Sequence, residues 1–293
     1  MFENLSDARQ QLLRDKHSLL EGYVAEYLFE MQFLRPQEVK YFSGYTNGWW
    51  SAEFGNQRFF FLVSSCLNDI DQRIISSLSP DYEVWRAFPD TMGWHFYKDN
   101  LDLDLNSFLD MFHLSRIRPE NVATATTRNL IRQNRSIDFL DRHHLLQKVA
   151  IERNFADDIL TVYFNSIVNI DFFALNPRGK ICVLEIKYKF ESKSGTFGIN
   201  VGQFQLFELL ANQGMEIEHW ILYNKTHNKE LSVFGFLDRP GRKWWRRGVI
   251  HTDSPGIQKV APAVTSVQGN KRQEYYEFNE SDFQFKAPLK VHI

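Results

Sequence analysis

Three consecutive stretches decide how this chain reads. They are the run Ser166-Ile167-Val168-Asn169-Ile170-Asp171-Phe172-Phe173-Ala174-Leu175, the turn Asn176-Pro177-Arg178-Gly179, and the run Lys180-Ile181-Cys182-Val183-Leu184-Glu185-Ile186-Lys187-Tyr188-Lys189. Both runs are apolar and β-branched, which predicts strands over 166–175 and 180–190. Side chains alternate along a strand, so Glu185 and Lys187 share one face and Cys182 takes the other. An ionised carboxylate buried in such a strand costs on the order of several kcal/mol unless a cation compensates it. The simplest account is a metal site shared by Asp171 and Glu185, with Lys187 beside it. The plain alternative is a strand-end ion pair with no chemistry.

The rest of the chain limits what such a site can serve. With 293 residues, 43% of them hydrophobic and 15% aromatic, it can bury a substantial core as one large or two moderate domains. A formal net charge of −2 excludes a global polycation, so any nucleic-acid contact must come from local basic patches or a metal. Cys66 and Cys182 are the only cysteines, both in apolar, strand-like surroundings, with no disulfide framework and no zinc-ligand spacing. That usage favours a reducing cytoplasm. The opening residues Met1–Asp7 lack the pattern of a secretory signal, and no apolar run reaches a membrane span of about 20 residues.

Apolar periodicity predicts a helix from Ser6 or Asp7 to about Phe33, then strand pairs at 49–54 with 58–63 and at 82–88 with 93–97. Further helices are expected near 104–116 and 128–154. The stretch 118–127 is the expected boundary between an N-terminal α+β domain (1–120) and a second domain (121–293). Strands at about 158–164, 166–175 and 180–190, a helix at about 200–213 and strands at 218–223 and 231–237 follow. The αβββαβ order is an α/β sandwich rather than a doubly wound nucleotide fold, and no Gly-rich phosphate loop is present.

An acid on one strand, Glu-x-Lys on the next and a Gln-bearing helix after them resemble the PD-(D/E)XK nuclease superfamily. The resemblance covers roughly residues 138–237 and implies a restriction-endonuclease-like αβββαβ core. Ile170 stands where the family pattern has Pro. The resemblance assigns Mg²⁺, with Mn²⁺ substituting, to Asp171, Glu185 and the carbonyl of Ile186. Oxygen donors that leave room for several waters suit such a cation. It implies that Lys187 positions the attacking water and steadies the anionic transition state. Gln203 is placed on the following helix, with Gln205 as a competing choice, and Glu152 is the candidate acid from the preceding helix. His143 and His144 are secondary candidates for touching phosphate or metal.

The basic and aromatic run Arg242-Lys243-Trp244-Trp245-Arg246-Arg247 reads as a nucleic-acid contact, because indoles stack on bases while cations meet phosphates. The bland reading is a solvated loop whose indoles fold onto the core. Lys189 and Lys193 would face the substrate groove, and Arg128, Arg132 and Arg135 lie near helical spacing as a second phosphate stripe. The resulting expectation is a nuclease acting on DNA in preference to RNA, in a restriction, phage-defence or mobile-element setting, as a homodimer or with a partner on the N-terminal domain. A non-catalytic binding or assembly protein on the same fold is the alternative from another class, and an RNA- or branched-DNA-specific nuclease is the alternative enzyme.

Overall fold

The computed structural model describes residues 5–35, 41–118, 129–190, 195–224, 232–236, 245–253, 257–260 and 274–286. The protein is mixed α/β with mixed sheets. Its most consequential departure from the sequence expectation lies at Asp171. The single strand expected over 166–175 is two strands, Asn165–Ile170 and Phe172–Leu175, which belong to different sheets. Propensity alone cannot reveal such a break, because both halves are equally apolar and the switch alters partners rather than local conformation.

The chain divides into two compact units, the first made of Met1–Leu28 with Thr46–Phe172 and the second of Phe29–Tyr45 with Phe173–Ile293. The boundary expected at 120/121 falls on residues outside the described ones.

In the first unit, six strands run in the order Leu101–Asp104, Trp94–Lys98, Glu83–Pro89, Gln57–Val63, Trp49–Phe54 and Asn165–Ile170. Trp49–Phe54 and Gln57–Val63 form the expected hairpin, with Gly55 in the left-handed region at the turn. Gln57–Val63 and Glu83–Pro89 pair in parallel, and the helix Asp69–Ser77 connects them. An Asn68/Asp71 capping box starts that helix, and the buried Asp71 carboxylate also accepts the Thr46 hydroxyl. Phe59, Phe61, Trp85, Phe96, Phe108, Phe155 and Phe164 fill the core against this sheet. The long N-terminal helix expected over 6–33 is interrupted: Leu5–Leu12 and His17–Phe29 are separate helices, and Glu30–Leu34 is a π turn. Leu12, Leu20, Ile137, Leu140, Leu146 and Ala150 form a second, helical cluster of this unit. The strand expected at 158–164 is instead helical, with Phe155–Leu160 a π turn and Thr161–Tyr163 a last α turn. The closely spaced buried residues Ile159, Leu160, Val162 and Phe164 make a short apolar run that imitates a strand.

In the second unit the sheet order is Gly44–Thr46, Phe172–Leu175, Ile181–Phe190, Glu216–Asn224, Trp245–Val249 and Gln284–Lys286. Ile181–Phe190 and Glu216–Asn224 are parallel neighbours, and the helix Val201–Asn212 lies between them in sequence. A small sheet of Thr196–Asn200, Glu274–Asn279 and Ile257–Val260 completes the unit. On one face of the main sheet, Trp220 and Trp245 pack with Phe29 and Phe33 at ring separations of 4.8–5.8 Å. The strand expected at 231–237 is a 3₁₀ turn over its described part, Val233–Phe236. No described helix is long and apolar enough to cross a membrane.

Candidate functional site

Ile181–Phe190 sits inside its sheet, with a strand on either side. Its alternation puts Val183, Glu185, Lys187 and Lys189 on one face and Cys182, Leu184 and Ile186 on the other. Glu185 is 1% exposed, and its Oε1 accepts no hydrogen bond. The ammonium of Lys187 forms an ion pair with that oxygen, although its own side chain is 38% exposed and reaches water. Burial pushes Lys189 down to about 8, and the like charge of Lys187 adds to the effect while Glu185 opposes it. The expected face with one buried acid and two lysines therefore exists.

The neighbouring parallel strand adds a residue to which the sequence reading gave no role. His219 is the ladder partner of Glu185, so both side chains leave the same face of adjacent strands. His219 is fully buried, and neither Nδ1 nor Nε2 has a hydrogen-bond partner. Burial, followed by the positive charges of Lys189 and Lys187, holds it well below the usual histidine pKa, in the neutral form. Phe283 covers it edge-on at 5.8 Å. Gly248, opposite His219 on the next strand, makes room for that ring, since a Cβ there would lie 2.5 Å from it. The signal was present in Glu218-His219-Trp220, because a histidine inside a buried parallel strand raises the same question as a glutamate does.

The helix Val201–Asn212 packs on Thr196–Asn200, Glu216–Asn224 and Glu274–Asn279. Phe204, Phe207 and Leu210 are buried, Gln203 is half-buried and Gln205 is exposed. Between the two competing glutamines, Gln203 is thus nearer the inward side.

Two further candidates lie in the first unit. Asp171 is the residue between the two strands that part company, is 5% exposed, and faces the Asn169 side-chain amide at 3.5 Å. Glu152 is buried on the helix Leu146–Asn154, where desolvation raises its pKa and Lys148, at 3.8 Å, and Arg153 oppose the rise. Its Oε1 would lie 3.6 Å from a Cβ at Gly48, whose φ of +82° also requires glycine. Glu152 is accordingly a buried acid and not a solvated helix residue.

The basic and aromatic run divides differently from expectation. Lys193, Arg242, Lys243 and Trp244 lie outside the described residues. Trp245, expected to stack on bases, is fully buried, and its indole N–H donates to Gln32 Oε1 at 2.7 Å. It is core filling. Arg246 pairs with Glu280 at 3.2 Å and lies over the rings of Tyr223 and Phe285. Arg247 forks onto Glu218, which also accepts the Trp220 indole N–H. Both guanidiniums are engaged inside the unit, which removes them as a free phosphate clamp. Arg132 is likewise paired, with Glu21. His143 packs between Tyr27 and Phe139 and meets the Tyr27 hydroxyl at 3.2 Å, as a packing residue does. Cys66 is exposed rather than buried in a strand.

Two donor sets can be weighed for a cation. Cys182, Glu216 and Glu218 bring their ligating atoms within 4.8 Å of one another. Glu218 is already matched by Arg247 and Glu216 by Lys180, so little uncompensated charge remains for a metal there. His219 differs, because both of its buried nitrogens lack a hydrogen bond, while Glu185 Oε1 has only its ion pair with Lys187. Unsatisfied donors of that kind fit a metal ion. Comparison with family models, curated proteins and solved structures returns no match.

Proposed function

We propose that this chain is a metal-dependent nuclease that hydrolyses phosphodiester bonds, with DNA as the substrate in preference to RNA. The observation that carries this reading is the buried, hydrogen-bond-free Oε1 of Glu185 with the ammonium of Lys187 beside it. A pair of side chains kept for stability alone gains little from such a place.

The resemblance also assigns Asp171 and Glu152 to the metal; both belong to the first unit, whereas Glu185 and Lys187 belong to the second. The Asn176 N–H donates to the Lys180 carbonyl, and the Gly179 N–H donates to the Asn176 carbonyl, with Gly179 in the left-handed region. This is a three-residue hairpin loop with a glycine bulge. Glu185 and the Ile186 carbonyl offer oxygen donors to Mg²⁺ or Mn²⁺ in this reading. Such an ion, once bound, supplies Lewis-acid charge and a water of lowered pKa. Lys187 reaches solvent from beside Glu185, which suits it to orient that water and to meet charge developing on the phosphate. Gln203, half-buried on the helix Val201–Asn212, is the residue proposed to hydrogen-bond the water or a phosphate oxygen. The setting of a restriction or phage-defence system is an analogy to the resembled superfamily.

The test is incubation of supercoiled plasmid, single-stranded DNA and RNA with Mg²⁺ or Mn²⁺, for the native sequence, Asp171→Ala and Lys187→Ala. The expected result is metal-dependent cutting of DNA that both substitutions abolish. Cutting that survives both substitutions, or no cutting of any substrate with either metal, overturns the proposal.

A further inference from the structure

We propose that His219 ligates the same cation as Glu185, and that the site therefore prefers Mn²⁺ and related transition cations to Mg²⁺. The inference rests on the metal reading of Glu185. Ladder register sets the two residues side by side on one face of the sheet. Both buried nitrogens of His219 lack a hydrogen-bond partner, which leaves a costly unmet need, and Glu185 Oε1 has only its ion pair with Lys187. The residues near the imidazole do not meet that need. Phe283 presents a ring edge, Gly248 has no side chain, and the Lys187 and Lys189 ammoniums donate no hydrogen bond to either nitrogen. His219 and Glu185 do not hydrogen-bond each other either, so the imidazole needs a partner that the described residues do not supply.

A cation supplies that partner, since it takes a carboxylate oxygen and a neutral imidazole nitrogen together. The donor chemistry then selects the ion. Mg²⁺ demands oxygen ligands, whereas imidazole suits first-row transition metals, with Mn²⁺ the member that also accepts carboxylates and waters readily. Phe283 packs edge-on against the imidazole at 5.8 Å and limits its exposure to water.

The experiment uses the full chain loaded with Mn²⁺ and electron spin-echo envelope modulation, which detects nitrogen bound directly to the ion. The native sequence should show imidazole ¹⁴N modulation, and His219→Gln should lose it. The same substitution should weaken Mn²⁺ binding about tenfold or more, with Mg²⁺ binding nearly unchanged. Bound Mn²⁺ without nitrogen modulation in the native protein overturns the inference, and that measurement needs no variant. Modulation that persists in His219→Gln overturns it as well, because the nitrogen then comes from another of the nine histidines. A buried water bridging the two residues gives that first overturning result. Cleavage measured on the same samples separates the two claims. Cutting by a nitrogen-free metal site removes only the role of His219, while a nitrogen-ligated ion in a protein that cuts nothing removes only the nuclease reading.

Discussion

Replacing Trp245 distinguishes a core residue from a nucleic-acid contact with opposite outcomes. Trp245 is fully buried, packs on Phe29 and Phe33 at 5.5 and 5.8 Å, and donates its indole N–H to Gln32, which is itself 4% exposed. Truncating a buried aromatic to alanine costs about 3–5 kcal/mol through lost transfer energy and the cavity left behind. Gln32 would also keep a buried carbonyl without a donor, which adds about 1–3 kcal/mol. Trp245→Ala should therefore destabilise the second unit by at least about 4 kcal/mol. For a folding unit of this size, that lowers Tm by roughly 8–16 °C. Trp245→Phe keeps most of the ring volume and loses the donor, so it should cost only about 1–3 kcal/mol. Calorimetry is the suitable assay, because two compact units need not unfold in one transition and each can be followed separately. Equilibrium binding to a DNA oligonucleotide, measured below the transition, supplies the second readout and should be unchanged for Trp245→Phe. A loss of DNA affinity with the transition left in place would refute the core assignment and restore base stacking.

Three other outcomes follow from the same structure. Arg247→Ala strands the Glu218 carboxylate, which is 1% exposed, and should cost about 3 kcal/mol, the lower end for a broken buried pair because the Trp220 indole still donates to it. Chemical denaturation followed by circular dichroism checks this, and a change within about 0.5 kcal/mol refutes it. Burial, then Glu218 and Glu216, pushes the Cys182 thiol up to about 12, whereas Cys66 is exposed. A thiol-specific chromogenic reagent at pH 8 should thus titrate one cysteine in the native protein and two after denaturation, and two fast equivalents in the native state would contradict the burial. Desolvation lifts Asp157 from 3.8 to about 6, against the pull of Arg153, so the fold favours its protonated form. The stability this contributes is present below pH 3.8 and is lost as pH rises through about 6. Asp157→Asn should flatten the change in urea midpoint between pH 4.5 and 7, and an unaltered slope would show that the carboxyl is not so shifted.

The strands that carry the acid and the lysines were legible because their cues are local. The turn at 176–179, β-branched runs on both sides of it and alternation along 181–190 fixed the face of Glu185 and the opposite face of Cys182. The helix at 201–212 and the strand at 216–224 were also found within two residues of their ends. What stayed hidden depends on long-range partners. Nothing local marks Asp171 as the point where the chain leaves one sheet for another, since Ile170 and Phe172 are equally suited to a strand. The stretch 158–164 imitated a strand because Ile159, Leu160, Val162 and Phe164 form a short apolar run that periodicity alone does not distinguish from one. Trp245 looked like a ligand platform because basic residues flank it, but Arg246 is paired with the half-buried Glu280 and Arg247 with the buried Glu218. His219 escaped notice for a related reason, as its two unpartnered nitrogens are a property of its surroundings and not of its neighbours in sequence.

The most direct measurement for the central claim is an anomalous difference map from crystals soaked in Mn²⁺. The account predicts one strong peak within about 2.0–2.6 Å of a Glu185 carboxylate oxygen, with the Ile186 carbonyl as a further oxygen donor. A peak at Cys182, Glu216 and Glu218 instead, or no ordered ion near Glu185, would contradict it.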